Sequence, residues 1–298
     1  MMLKPVNLNI DSVTIEDIEN HKLITNQELN RDLDNLVLFD ASSNKMSFAG
    51  NPFLYHFQMK NLLKCHREDG KTIYDLNPEE WKVLIEQAKK KNRGGRTAAG
   101  NVYECFRINK GSVVMFKSST AKYLYKKYNA TSVLDPTAGW GGRMLGAWSL
   151  GIDYTGIDTN VQMISAYDKM ISFLQSKNSL IASNLNMIWK SCLDVDFSKI
   201  DYDFVLTSPP YINLEIYEHM NLWNSNEAFY KTFFIPLFNK CMNHTKNNGY
   251  VCFNISPKMY NDALYYGLTP CYEEEDLIQQ LGQKKGKKKQ DKIYVWKS

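Results

Sequence analysis

The chain has 298 residues, 44% hydrophobic and 23% charged, with a formal net charge of +4. This composition is ordinary for a globular protein with a substantial core, and it excludes an intrinsically disordered chain. No apolar run approaches the ~20 residues of a membrane-spanning helix. The N-terminus lacks the apolar core of a secretory signal peptide. We therefore predict a cytoplasmic protein.

The six cysteines contain no Cys-x-x-Cys pair. Cys65-His66 and Cys241-x-x-His244 are too isolated to indicate zinc. We expect reduced thiols, most of them in the core, and no metal site.

Residues 1–95 are polar and mostly helical in pattern, with the clearest helices predicted over residues 11–20 and 78–91. The pair Gly94-Gly95 is the natural joint with the rest of the chain. This first region could hold the substrate or only pack against its neighbour, and the sequence does not decide between the two.

Basic residues cluster at two places. The first cluster lies beside the glycine joint, and the second lies in a predicted hairpin before the last strand. They comprise Lys89, Lys90, Lys91, Arg93 and Arg96, and then Lys287 and Lys288. Clustered Lys and Arg can neutralise nucleic-acid phosphates, although a solvated surface is the alternative for each cluster.

A short apolar strand over residues 131–135 ends in Asp135, and a glycine-rich turn and a helical run follow it. Strand, glycine turn and helix form the start of a nucleotide-binding βαβ unit. A second predicted strand ends in Asp158, which is placed to bind the two hydroxyls of a ribose. The alternative for Asp158 is a helix N-cap.

The tetrapeptide Ser208-Pro209-Pro210-Tyr211 follows the apolar run 203–207, which predicts a buried strand. Two prolines cannot continue a strand, so the chain leaves the sheet at its carboxyl end, where open α/β sheets bind ligands. The Ser208 hydroxyl and the Pro209 carbonyl can accept both hydrogens of a nucleobase amino group, which frees the nitrogen lone pair for attack on an activated methyl group. Tyr211 can stack on a flipped base. The alternative is a Pro-rich turn or partner ligand.

With both motifs, the chain from about residue 96 to the C-terminus resembles the S-adenosylmethionine-dependent amino-methyltransferases of adenine N6 or cytosine N4 in DNA. It resembles small stand-alone enzymes of phages and large DNA viruses, and a viral protein would lie in the cytoplasm of the host cell. The resemblance implies an α/β, Rossmann-like class I methyltransferase fold, with a mostly parallel seven-stranded sheet and helices on both faces. The catalytic domain would span residues 96–298, after the largely helical region 1–95.

The resemblance also implies S-adenosylmethionine as cofactor and DNA as partner, and it assigns site residues. The catalytic ones would be Ser208, Pro209, Pro210 and Tyr211. The cofactor-binding ones would be Phe116, Asp135, Thr137, Ala138, Gly139, Gly141, Asp158 and Asp194. Phe116 belongs to a segment that resembles the one enclosing the methionine end of the cofactor. Asp194 follows the third strand, where relatives contact the adenine with an acid, although a simple turn residue is the alternative.

The chain departs from the family pattern at Thr137, where an aromatic is usual, and at Trp140, where a small residue is usual. Ser208 is commonest in the cytosine-N4 group, so N4 of cytosine is favoured and N6 of adenine comes next. Cytosine-5 chemistry needs a nucleophilic cysteine after a proline, and it is disfavoured because the tetrapeptide that resembles the catalytic motif carries Ser208; the one Pro-Cys pair, Pro270-Cys271, lies far outside that motif. Two alternatives stay open: an RNA base amino-methyltransferase, and a catalytically idle nucleic-acid-binding subunit that keeps the fold.

Three further predictions concern later elements. We expect the third, fifth and seventh strands over residues 186–190, 248–255 and 292–296. The acidic run 273–276 is expected to face solvent, and Pro236 to kink or interrupt a helix.

Overall fold

The centre of the computed structural model is a seven-stranded sheet. The structure describes residues 9–43, 45, 47–67, 70–91, 96–109, 114–177, 183–212, 215–216, 223–276 and 291–298. In chain order the strands are β1 (Ser132–Asp135), β2 (Asp153–Asp158), β3 (Leu185–Trp189), β4 (Phe204–Thr207), β5 (Tyr250–Ile255), β6 (Glu273–Asp276) and β7 (Lys292–Lys297).

The strands lie in the order β3-β2-β1-β4-β5-β7-β6. The pairs among β1 to β5 are parallel, whereas β7 pairs antiparallel with both β5 and β6. This topology, with helices on both faces, confirms the predicted Rossmann-like methyltransferase fold. The predicted strands 186–190, 248–255 and 292–296 match β3, β5 and β7 to within two residues at each end.

Helices cover both faces because alternate residues of the strands point to opposite sides. Phe204 and Leu206 of β4 join one core and Val205 joins the other. The helices are α1 (Ile15–Asn20), α2 (Asn26–Leu38), α3 (Asn51–Leu62), α4 (Pro78–Lys90), α5 (Ala98–Asn109), α6 (Ser118–Lys127), α7 (Gly142–Trp148), α8 (Ile164–Gln175), α9 (Asn226–Phe229), α10 (Ile235–His244) and α11 (Pro257–Tyr265). Helices α2, α3 and α6 to α8 supply the first core, and α9 to α11 supply the second.

The N-terminal helices form a third apolar core that continues past the predicted joint. Ile18, Leu63, Ile85 and Val102 belong to it, and they come from α1, the end of α3, α4 and α5. Helix α5 thus packs with α1 and α4 although it begins after residue 95. The division into 1–95 and 96–298 stays a prediction.

The predicted helix over residues 11–20 is two elements. A 3₁₀ turn, Ile10–Ser12, comes first. Thr14 then forms a capping box with Asp17 and starts α1, because its hydroxyl satisfies a free N–H of the first turn. The second predicted helix agrees with α4, which Asn77 caps.

The acidic run forms the edge strand β6, and two of its side chains are held by partners. Lys127 pairs with Glu273 at 2.8 Å and with Glu275. The Tyr128 hydroxyl donates to Glu273 at 3.0 Å. The prediction that the whole run faces solvent is therefore wrong for Glu273 and Glu275.

Pro236 lies in the first turn of α10, directly after a π-helical segment, Tyr230–Phe234. Proline supplies no N–H, and the wider π turn adjusts the helix at this point. The interruption expected at Pro236 is therefore a change from π-helix to α-helix. Within the described residues, no helix is both long and apolar enough to cross a lipid bilayer.

Candidate active site

The carboxyl ends of β1 and β4 lie side by side, and the strand order reverses between them. Ligands of open α/β sheets bind in the crevice at such a switch point. Asp135 ends β1 and Asp158 ends β2, whereas Ser208 follows β4 directly. The fold therefore brings the glycine turn and the Ser-Pro-Pro-Tyr segment to one edge.

The glycine turn adopts backbone angles that favour glycine. Gly139 has φ +58° and Gly141 has φ +89°, both in the left-handed region. A side chain added at Gly139 would meet no atom nearer than 3.9 Å, so the space beside it is open. Ala138 N–H donates to the Ile157 carbonyl at 2.9 Å and fixes the turn against β2.

Asp158 holds this turn in place. Its Oδ2 accepts from Gly139 N–H at 2.8 Å, and its Oδ1 accepts from Asn160 N–H at 2.9 Å. Each carboxylate oxygen keeps a second lone pair, and the side chain is half-buried. Burial raises the pKa of Asp158, and the two backbone N–H groups oppose that shift. This geometry fits the predicted ribose contact and also supports the capping alternative, since Asn160 begins the next turn.

Asp135 is fully buried beneath the turn. Its Oδ2 accepts from Arg143 Nε at 2.6 Å and from the Tyr154 hydroxyl at 2.7 Å. Burial acts to lower the pKa of Arg143, but the Asp135 charge and hydrogen bond outweigh it and raise that pKa. The Oδ1 atom has no partner among the described residues, so a buried acceptor is left at the predicted cofactor site.

Thr137 connects the two motifs. Its hydroxyl lies 2.6 Å from the Thr207 hydroxyl and donates to the Ser208 carbonyl at 3.0 Å. The Thr137 carbonyl in turn accepts from Arg143. Threonine in place of the usual aromatic thus ties the cofactor turn to the end of β4.

The Ser-Pro-Pro-Tyr tetrapeptide begins with a serine whose hydroxyl accepts a hydrogen bond from a residue of β5. Asn254 Nδ2 donates to Ser208 Oγ at 3.0 Å. Pro209 is buried and Pro210 is half-buried. The Tyr211 hydroxyl interacts with the Asp291 carboxylate; burial raises the pKa of Asp291, and this contact opposes the shift.

Phe116 lies beside the start of α7. The Arg143 guanidinium is 5.3 Å from the centre of its ring. A side chain at Gly142 would come within 1.9 Å of the Phe116 carbonyl oxygen. The main chain at Phe116 therefore packs directly against that glycine. Trp140, the second departure from the family pattern, is buried in the first core.

Asp194 is exposed in a bend after β3. Lys240 of α10 fixes this bend, since its ammonium donates to the carbonyls of Cys192 at 3.0 Å and Leu193 at 2.7 Å. Both the turn role and the cofactor role stay open for Asp194.

The first basic cluster is partly paired with acids. Lys89 pairs with Asp11, and Arg96 lies 3.5 Å from Glu104. Lys90 and Lys91 are exposed at the end of α4. The remaining predicted contacts, Arg93, Lys287 and Lys288, lie outside the described residues. In the part of the chain that is described, no group of three His, Cys, Asp or Glu side chains could hold a metal ion.

Sequence reasoning missed three residues of this edge: Arg143, Tyr154 and Asn254. Arg143 carried a local signal, because a charged residue opens the apolar helix directly after the glycines. The other two act through contacts between distant segments, which no local pattern shows.

The fold and the crevice define a Rossmann-like methyltransferase. Residues 108–281 match the family model of the Eco57I restriction-modification methylases. The match spans more than half of the chain, and the protein belongs to this family. Membership supports S-adenosylmethionine as the cofactor, as the sequence predicts. No curated protein matches the chain.

Several solved structures resemble the chain at low identity. An rRNA methylase from Streptococcus thermophilus is 12% identical, with a TM-score of 0.40 over 62% of this chain and 97% of that chain. An RNA methyltransferase from Salinibacter ruber in complex with S-adenosyl-L-homocysteine is 10% identical, with a TM-score of 0.35 over 62% of this chain and 93% of that chain. At these scores neither likeness bears on the substrate.

Proposed function

We propose that the protein transfers a methyl group from S-adenosylmethionine to the exocyclic amino group of a base in DNA. N4 of cytosine is the favoured target and N6 of adenine is next. The observation that carries the proposal is the position of Ser208 and Pro209 directly after β4. The hydroxyl of Thr137, in the glycine turn, donates to the Ser208 carbonyl at 3.0 Å and so links the two motifs.

In this reaction the protein's own residues orient the amino nitrogen toward the methyl group. S-adenosylmethionine supplies an activated methyl group. Ser208 Oγ and the Pro209 carbonyl would accept the two amino hydrogens and so turn the nitrogen lone pair toward that group. Such acceptors act most strongly in the transition state, because the nitrogen geometry changes there. The nitrogen then gives up a proton to water, and no strong base is required.

A base in a duplex cannot reach this crevice, so the enzyme must flip it out. The Tyr211 ring would stack on the flipped base, and its hydroxyl contact with Asp291 would orient the ring. Stacking of this kind is worth ~1–3 kcal/mol per base. We also propose that the protein is of the stand-alone kind found in phages and large DNA viruses. The support is that no separate recognition domain lies between the glycine turn and the Ser-Pro-Pro-Tyr tetrapeptide.

Ser208→Ala tests the proposal. The protein is incubated with labelled S-adenosylmethionine and separate DNA and RNA pools, and the modified nucleosides are identified by mass spectrometry. We expect N4-methylcytosine in DNA or, next, N6-methyladenine. The variant should bind the cofactor normally in calorimetry but turn over on the order of 10²–10³-fold more slowly, by analogy with loss of an oxyanion-hole donor.

Other outcomes would contradict parts of the proposal. Methylation of RNA alone would change the substrate, and cofactor binding without any product would indicate an idle subunit. 5-Methylcytosine, or full activity of Ser208→Ala, would overturn the mechanism.

A further inference from the structure

Asn254 lies next to the reacting centre although it belongs to neither motif. It is the fifth residue of β5, the parallel neighbour of β4, and is only 7% exposed. Its Nδ2 donates to Ser208 Oγ at 3.0 Å, and its Oδ1 has no partner among the described residues. Buried side-chain amides are normally hydrogen-bonded, and the partner that the structure gives this one is the Ser208 hydroxyl.

The hydrogen bonds leave the serine hydroxyl in one state. Ser208 Oγ donates to the backbone carbonyl of Asn254 in a long contact of 3.5 Å and accepts from the side-chain Nδ2 at 3.0 Å. A hydroxyl has one proton and two lone pairs. With its proton directed to β5 and one lone pair taken, Ser208 can offer its remaining lone pair to a substrate N–H.

We propose that Asn254 is a positioning residue for methyl transfer, which holds Ser208 as a hydrogen-bond acceptor for the substrate amino group. This inference rests on the proposed function. It deepens the substrate class: the group that fits is a primary amine, whose two hydrogens meet two neutral acceptors. A base nitrogen that already carries a methyl group would leave one acceptor unmet.

A double-mutant cycle tests whether Asn254 acts through Ser208. The variants Asn254→Ala, Ser208→Ala and the double variant are compared for kcat on the DNA that the wild type methylates. Asn254→Ala should lower kcat by about 10–100-fold, as loss of a positioning contact does, with cofactor affinity kept. In the Ser208→Ala background the same change should cost less than about threefold, because the residue it positions is already absent.

Two further variants keep the test decisive. Cys252→Ala changes the same face of the same strand without touching Ser208 and should leave kcat within about threefold. If Asn254→Ala does not fold, Asn254→Asp keeps the shape but removes the N–H donor when ionised. Its activity should then rise as the pH falls, because a protonated carboxyl can donate to Ser208 Oγ again, and the rise should vanish in the Ser208→Ala background.

The outcomes separate this inference from the proposed function. Suppose that the wild type methylates an amino nitrogen and that the kcat losses of Asn254→Ala and Ser208→Ala multiply in the double variant. The role of Asn254 would then be wrong, and the proposed function would still stand. A flat pH profile for Asn254→Asp would do the same. Absence of any wild-type amino methylation would overturn the proposed function.

Discussion

At the scale of single residues, the site depends on side chains that hold its backbone in place. Asp158 holds the glycine turn, Thr137 holds the Ser208 carbonyl, and Arg143 holds Thr137 and Asp135 together. Arg143 and Asp135 are 4% and 0% exposed. Removing one member of such a buried pair leaves an uncompensated charge and costs about 3–5 kcal/mol.

Asp158 gives a pH-dependent prediction. Its pKa is raised by burial, and ribose hydroxyls bind best to an ionised carboxylate. Affinity for S-adenosylmethionine should therefore be full above this raised pKa and fall as the pH drops through it. Asp158→Asn should lose about 1.5–3 kcal/mol of affinity, which calorimetry over a pH series would measure.

The asparagine variant also supplies the control for that experiment. It keeps an acceptor for Gly139 N–H but has no proton to gain, so its affinity should show no step in the acid range. An identical pH profile in both proteins, or unchanged affinity, would mean that Asp158 only caps the turn.

At the scale of elements, the sheet was predictable because buried parallel strands are apolar runs with distinct ends. The glycine turn and the Pro-Pro stop were predictable because each acts through its own backbone. The contacts of Tyr154, Asn254 and β6 were not, since they depend on strand register and on partners far along the chain. The split of residues 11–20 was missed because one capping hydroxyl, Thr14, overrides the helical pattern.

The contact of α7 with the segment over Phe116 gives an element-level prediction. Gly142→Ala would place a methyl group 1.9 Å from the Phe116 carbonyl oxygen, and main chain must move to relieve the clash. We expect a loss of about 1–3 kcal/mol of folding stability, as for other overpacking substitutions, together with weaker cofactor binding.

Urea unfolding measures the stability term, with Gly100→Ala as the matched control. Gly100 is also helical, and the three atoms nearest to its added methyl would all belong to side chains, with the Thr97 hydroxyl the nearest at 3.1 Å. That variant should be neutral or slightly stabilised, because alanine favours a helix by about 1 kcal/mol over glycine. Equal stability of the two variants would show that the main chain at Phe116 can move away from the added methyl group without loss of folding stability.

At the scale of the whole molecule, the N-terminal helices α2 and α3 share the first core with the helices on one face of the sheet, and hydrogen bonds add to this packing. Lys122 of α6 donates to three carbonyls at the end of α2, those of Leu36 at 2.8 Å, Val37 at 2.7 Å and Phe39 at 3.1 Å. A two-residue strand at His66 also pairs antiparallel with residues 215–216, shortly after the Ser-Pro-Pro-Tyr tetrapeptide. The helical region therefore borders the segment that follows Tyr211, and its two predicted roles, holding the substrate or packing only, both stay predictions.

This arrangement gives the first basic cluster a testable role. Lys89 is engaged by Asp11, whereas Lys90 and Lys91 are exposed at the end of α4. If both contact phosphates, Lys90→Gln with Lys91→Gln should weaken DNA binding for every sequence and reduce the slope of log K against log salt by about 2, since each phosphate contributes about 0.9.

Lys199→Gln with Lys246→Gln removes the same charge at exposed pairs with Asp196 and Asp201, and this control should leave the slope unchanged. Equal slopes in the two double variants would mean that the end of α4 is only a solvated helix terminus and that phosphate contacts lie elsewhere on the protein.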